Sequence, residues 1–159
     1  MATFGRILCA IDLDKASDRA FDRALNLAIA SGAKLHLLHA TPGNVPFSRR
    51  ADERFRHLPE LRERAKAAGV KVRVDEQHGD PAGVIVLHAN AKKVDLVVLG
   101  SNRRRGWNRV REGSVAERVL RRAAWPVLIV PWDARPAGVL DLKASRAVAK
   151  SRARQKSAR

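Results

Sequence analysis

Gly100, Gly113 and Ser114 bracket a loop that carries Arg103, Arg104, Arg105, Arg109 and Arg111 around Trp107. The apolar run VDLVVLG ahead of it reads as a strand buried on both faces of a parallel sheet. The stretch SVAERVLRRA behind it reads as a helix, with Val115, Val119 and Leu120 on one side. Ser114 stands at the N-cap of that helix, where its hydroxyl accepts from the unpaired N–H groups of the first turn. Glu117, three residues on, completes a capping box. A loop that leaves the carboxyl end of a parallel strand toward a helix N-terminus is where open α/β sheets bind anions and nucleotides. Binding of that kind is the chemistry expected here.

Bond-breaking chemistry finds less support. Asp12, His39 and Ser114 could converge at the carboxyl edge of a sheet, yet the chain has no G-x-S-x-G elbow to aim a serine. The segment GWNRVREGS lacks the lysine of a phosphate-binding P-loop. His36, His39, His57, His78 and His88 show no ligand spacing such as H-E-x-x-H, so no metal-ligand set and no catalytic residue is assigned.

The elements that must position the loop alternate. GRILCAIDLD opens with a buried strand from about Arg6 to Asp12, and Lys15 to Ser31 follows as a helix burying Ala20, Phe21, Ala24, Leu25, Ala28 and Ile29, with Gly32 as its stop. KLHLLHA is a second strand. A turn-forming stretch leads to a helix over about Asp52 to Ala68, which Pro59 interrupts or kinks, and Gly69 ends it. VKVRVDE alternates as a third, less buried strand. A third helix has Pro81 in its first turn, VDLVVLG is the fourth strand and PVLIVP the last. Repeated βαβ units with short connections require parallel neighbours and right-handed crossovers, so the fold class is α/β.

The chain has 159 residues, 45% of them hydrophobic, which suits one core: an α/β domain over 1–133 and a tail over 134–159. The last seventeen residues, Lys143 to Arg159, hold seven basic and no acidic side chains, a composition that does not fold alone. The formal net charge of +16 attracts polyanions, through the tail residues Lys150, Arg152, Arg154 and Lys156 and the loop residues Arg104, Arg105, Trp107, Arg109 and Arg111. The single cysteine, Cys9, lies inside the apolar run ILCAI and fits a reducing cytoplasm. Apolar runs are strand length and no lipidation signal is evident, so neither export nor a membrane partner is expected.

ILCAIDLD, LHLLHA, HGDPAGVIVLHA, VDLVVLGS and GSVAERVLRRAAWPVLIVP together resemble the universal stress protein family, whose nucleotide-binding members share the pattern G-x2-G-x9-G-[ST]. The resemblance spans Gly5 to Pro131. It implies a five-stranded parallel sheet in the order 3-2-1-4-5, helices on both faces, and a homodimer through the last strand, Val127 to Val130. It further implies ATP or a related nucleotide as ligand, held by Ile11, Asp12, Ala40, Gly100, Gly113, Ser114 and Val115; with no P-loop lysine and no catalytic motif, slow hydrolysis at most is expected. Arg103 stands where the pattern has its second glycine, and its guanidinium could hold phosphates in place of a close backbone approach. Two readings follow. One is a nucleotide-binding, non-enzymatic stress-response regulator. The other is a nucleotide-independent protein of the same fold whose basic loop and tail bind nucleic acid or an acidic partner.

Overall fold

The computed structural model describes residues 4–12, 15–43, 50–101, 114–131 and 133–135. Its elements alternate as β1 (Arg6–Ala10), α1 (Lys15–Ser31), β2 (Lys34–Thr41), α2 (Arg50–Ala67), β3 (Val72–His78), α3 (Pro81–Lys92), β4 (Leu96–Ser101), α4 (Val115–Arg122) and β5 (Val127–Pro131). The five strands form one sheet in the order β3-β2-β1-β4-β5, with every pairing parallel. This is the order and class expected.

Alternation along the strands divides the core in two. Ile7, Cys9, Leu35, Leu37, Leu96 and Val98 face α1 and α2, whose Phe21, Leu25, Leu58 and Leu61 complete one layer. Leu8, Leu38, Val97 and Leu99 face the opposite way, toward Ala82, Ile85 and Ala89 of α3 and Ala116 and Val119 of α4. Each fully buried Leu or Ile contributes about 1.5–3 kcal/mol from water exclusion, so the central strands hold the domain together. Burial pushes the Cys9 thiol far up, with the nearby Asp22 charge adding to it, so the group stays a protonated, inert thiol.

Local signals explain most boundaries. Gly32 and Gly69 adopt φ of 70° and 76°, the left-handed geometry that ends α1 and α2 at little cost for glycine. The expectation at Pro59 changes: α2 runs unbroken through it. The proline lacks the N–H that would reach back one turn, yet Leu58 and Leu61 beside it are 2% and 1% exposed, and their burial outweighs the lost bond. The Asp95 carboxylate accepts from the N–H groups of Gly5 and Arg6, both at 2.8 Å, and ties the start of β1 to β4.

The face of α4 also differs from expectation. Ala116 and Val119 are its buried pair, whereas Val115 is 36% and Leu120 52% exposed. Positions 116 and 119 are three apart and share a face; Leu120 has turned to solvent by a further residue. Past β5, Ala134 still packs on the core and the carbonyl of Arg135 accepts from Arg23 Nη2 at 3.0 Å. The remainder of the proposed tail lies outside the described residues. Among the described residues, no helix is long and apolar enough to cross a membrane.

Candidate functional site

Parallel strands deliver their carboxyl ends to one edge of the sheet, and there β1, β2 and β4 wall a cavity of about 270 Å³. Ala10, Ile11 and Asp12 enter from the end of β1, His39 to Pro42 from β2, and Leu99 and Gly100 from β4. Pro81 and Ile85 of α3 and Val115 and Ala116 of α4 close the remaining sides, and Ser17 of α1 completes the lining. The wall is mostly aliphatic, with its polar groups gathered at Asp12, Ser17, His39 and Thr41. An apolar chamber with a few convergent polar groups is the usual form of a small-molecule site.

Hydrogen bonds fix the polar side. The Asp12 N–H donates to Ser17 Oγ at 2.8 Å, and Ser17 Oγ–H in turn donates to the Asp12 carboxylate. His39 is 6% exposed, and its Nδ1 lies 2.7 Å from the Ile11 carbonyl. A carbonyl only accepts, so Nδ1 carries the proton, and in the neutral ring Nε2 is left as an acceptor. Asp12 is thus engaged with Ser17 and His39 with backbone, so the Asp12–His39–Ser114 relay considered from the sequence is not formed.

Besides α1, whose first turn brings Ser17, the N-termini of α3 and α4 approach this edge, and these two differ. At α3, Asp80 is the N-cap: its Oδ2 accepts from the Gly83 N–H at 3.0 Å and its Oδ1 from Arg118 Nη1 at 2.8 Å. Those two bonds hold the Asp80 carboxyl below the usual carboxylate range, the Gly83 N–H first and Arg118 second. With that fixed negative charge, and with Pro81 lacking an N–H, α3 offers little to an anion. At α4, Ser114 caps as expected, its Oγ accepting from the Glu117 N–H at 3.2 Å. The reciprocal half of the capping box is replaced, because the Glu117 carboxylate takes Arg121 Nη2 at 2.7 Å. The cap of α4 is neutral, the one acid of its first turn, Glu117, is paired with Arg121, and the turn contributes Val115 and Ala116 to the cavity wall.

Of the residues assigned from the sequence, Ile11, Asp12, Ala40, Gly100 and Val115 come together in this lining. Ser114 sits beside it at the exposed N-cap. Arg103, Arg104, Arg105, Trp107, Arg109, Arg111 and Gly113 lie outside the described residues, as do Lys150, Arg152, Arg154 and Lys156. Ser17, Thr41, Ile85 and Ala116 were missed. Ser17 follows Asp12 by five residues across the turn into α1, a spacing with no motif, and the others look like ordinary strand-end or helix-core positions.

Known proteins agree with this architecture. The model of the universal stress protein family matches residues 3–131. A universal stress protein of Bacillus subtilis is 31% identical over 146 residues, covering 80% of this chain and 99% of its own length. One from Methanocaldococcus jannaschii is 42% identical over 73 residues, 46% of this chain, so here the chain spans less than half (43%) of the relative. A crystal structure of a universal stress protein in complex with cAMP is 30% identical with a TM-score of 0.66, covering 86% of this chain and all (100%) of that one. Sheet order, strand-end cavity and a match that reaches from before β1 to the end of β5 point the same way: the chain belongs to the universal stress protein family.

Proposed function

We propose that this protein is a cytoplasmic stress-response regulator that binds ATP or a related adenine nucleotide in the strand-end cavity without fast hydrolysis. The observation that carries the reading is that Ile11, Asp12, Ala40, Gly100 and Val115, distant in sequence, line one cavity of about 270 Å³. The related structure holding cAMP supports a nucleotide as the ligand class. Aliphatic walls at Ile11, Ile85 and Leu99 suit the faces of a purine, and Asp12 supplies an acceptor for ribose or adenine donors. Phosphates belong toward the first turn of α4, because its N–H dipoles favour negative charge and the α3 end already carries Asp80. The absence of fast hydrolysis is part of the reading and is supported by the bonding at this edge: Ser17 already holds the Asp12 carboxylate, and His39 Nδ1 is tied to the Ile11 carbonyl. Saturable binding of one ATP per chain tests the reading; its absence would overturn it.

The assembly proposed is a homodimer paired through β5. Among the described residues that strand pairs with β4 alone, and Leu128 is 36% exposed along it. A sheet edge with unpaired backbone groups and apolar side chains is a template for a second chain. Wild-type protein should sediment as a dimer and Leu128→Arg as a monomer. A monomeric wild type, or a dimer indifferent to the arginine, contradicts this pairing.

A further inference from the structure

We propose that His36, Asp75 and His88 form a binding site for one divalent transition-metal ion of the zinc type, separate from the nucleotide cavity. His36 comes from the amino half of β2, Asp75 from the middle of β3 and His88 from the last turns of α3. One donor atom from each lies within 4.8 Å of the other two. Parallel register sets His36 beside Arg73 and Leu38 beside Asp75, so β2 and β3 present these side chains to the face that α3 covers.

Burial and bonding separate this cluster from a solvated charge group. His36 and His88 are 7% and 4% exposed. His36 Nδ1, Asp75 Oδ2 and His88 Nε2 are buried, and none has a hydrogen-bond partner. Three buried, unpartnered polar atoms on side chains that cluster this closely are costly unless something satisfies them together. The separation of His88 Nε2 from Asp75 Oδ2 is 3.4 Å. That is longer than a good N–H···O bond, and it matches the roughly 3.4 Å between two donors on a tetrahedral ion with bonds of about 2.1 Å. The widest pair must close by at most about 1.4 Å, a side-chain rotation. On the far side of the ring, Gln77 Nε2 lies 3.4 Å from His88 Nδ1. With the amide turned to present its oxygen, Gln77 accepts the Nδ1 proton and frees the Nε2 lone pair, the outer contact that orients metal-bound imidazoles.

Two imidazoles and one carboxylate suit zinc and its neighbours rather than magnesium or calcium, which require an oxygen shell. The surrounding charges limit affinity. Arg73 and Lys92 act on His36, and with Arg6, Lys34, Lys71 and Lys93 they line the cleft that His36 borders. Against them stand Asp75 and the negative end of the α3 dipole. Removing a flanking cation should therefore tighten binding.

Full-length protein stripped by a chelator and titrated with Zn²⁺ tests the site. The expected result is saturation at one ion per chain and an unfolding midpoint that rises with free Zn²⁺. His88→Gln should weaken binding at least about tenfold, as ligand-shell losses do. His78→Gln, an exposed histidine on the same strand as Asp75, should leave it unchanged, and Arg73→Gln should strengthen it. If His88→Gln fails to fold, Asp75→Asn carries the same test, since that side chain is 30% exposed. No saturable binding, or binding that ignores both His88→Gln and Asp75→Asn, overturns the assignment.

Discussion

Ser114→Asp will weaken ATP binding at least about tenfold and leave adenosine binding unchanged. Aspartate caps a helix as well as serine does, so the bond to the Glu117 N–H and the start of α4 are retained. What changes is the charge at the end of the cavity proposed to take the phosphates. Two like charges about 6 Å apart at an effective dielectric constant of about 40 repel by roughly 1.4 kcal/mol, a tenfold loss for each phosphate charge that feels it. Adenosine carries no such charge and serves as the internal control, and the unfolding midpoint reports that α4 is intact. Equal losses for ATP and adenosine would mean that the variant damaged the pocket. An unchanged ATP affinity would move the phosphates away from α4.

Phe21→Ala should destabilise the domain by about 3–5 kcal/mol, the largest effect expected from a single side chain here. Phe21 is fully buried, with 0% exposure, in the layer that joins α1 and α2 to the sheet. The Arg64 guanidinium sits 4.8 Å from its ring centroid and also bonds Asp22 at 2.7 Å, so truncation removes a cation–π contact as well as leaving a cavity. For a domain of this size the unfolding midpoint should fall by roughly 10–15 °C. The strand-end cavity does not include Phe21, so any ATP binding there should be unchanged in the folded variant. A loss under about 1 kcal/mol would contradict the packing of α2 over this ring.

The fold was legible because its determinants are local. Runs such as ILCAI and VDLVVLG are too apolar and β-branched for anything but central strands, and Gly32 and Gly69 mark helix ends by a backbone geometry that glycine adopts freely. The strand order came through the family resemblance rather than from periodicity. Leu120 shows where the reading stops: an eight-residue helix has room for one buried face, and 116 and 119 already fill it. Half of the capping box failed for a similar reason, since Arg121 one turn on offers Glu117 a charged partner that a backbone N–H cannot match.

The site was legible only at the strand ends. Asp12, Ala40 and Gly100 stand where parallel strands finish, and chain order alone brings such residues to one edge. Ser17 is placed by a turn, which no spacing rule records. The His36–Asp75–His88 group lay further from view, because its members are assembled by strand register and by the docking of α3 on the sheet.

The measurement that tests the central claim most directly is calorimetric titration of ATP into the full-length protein at low and high salt, with inorganic triphosphate as the control ligand. The net charge of +16 guarantees some attraction for any polyanion, and salt screens that part. A working cavity predicts one ATP per chain, with an affinity that survives high salt and exceeds that of triphosphate. Binding equal to triphosphate and abolished by salt, or no saturable binding at all, would contradict a nucleotide site at the ends of β1, β2 and β4.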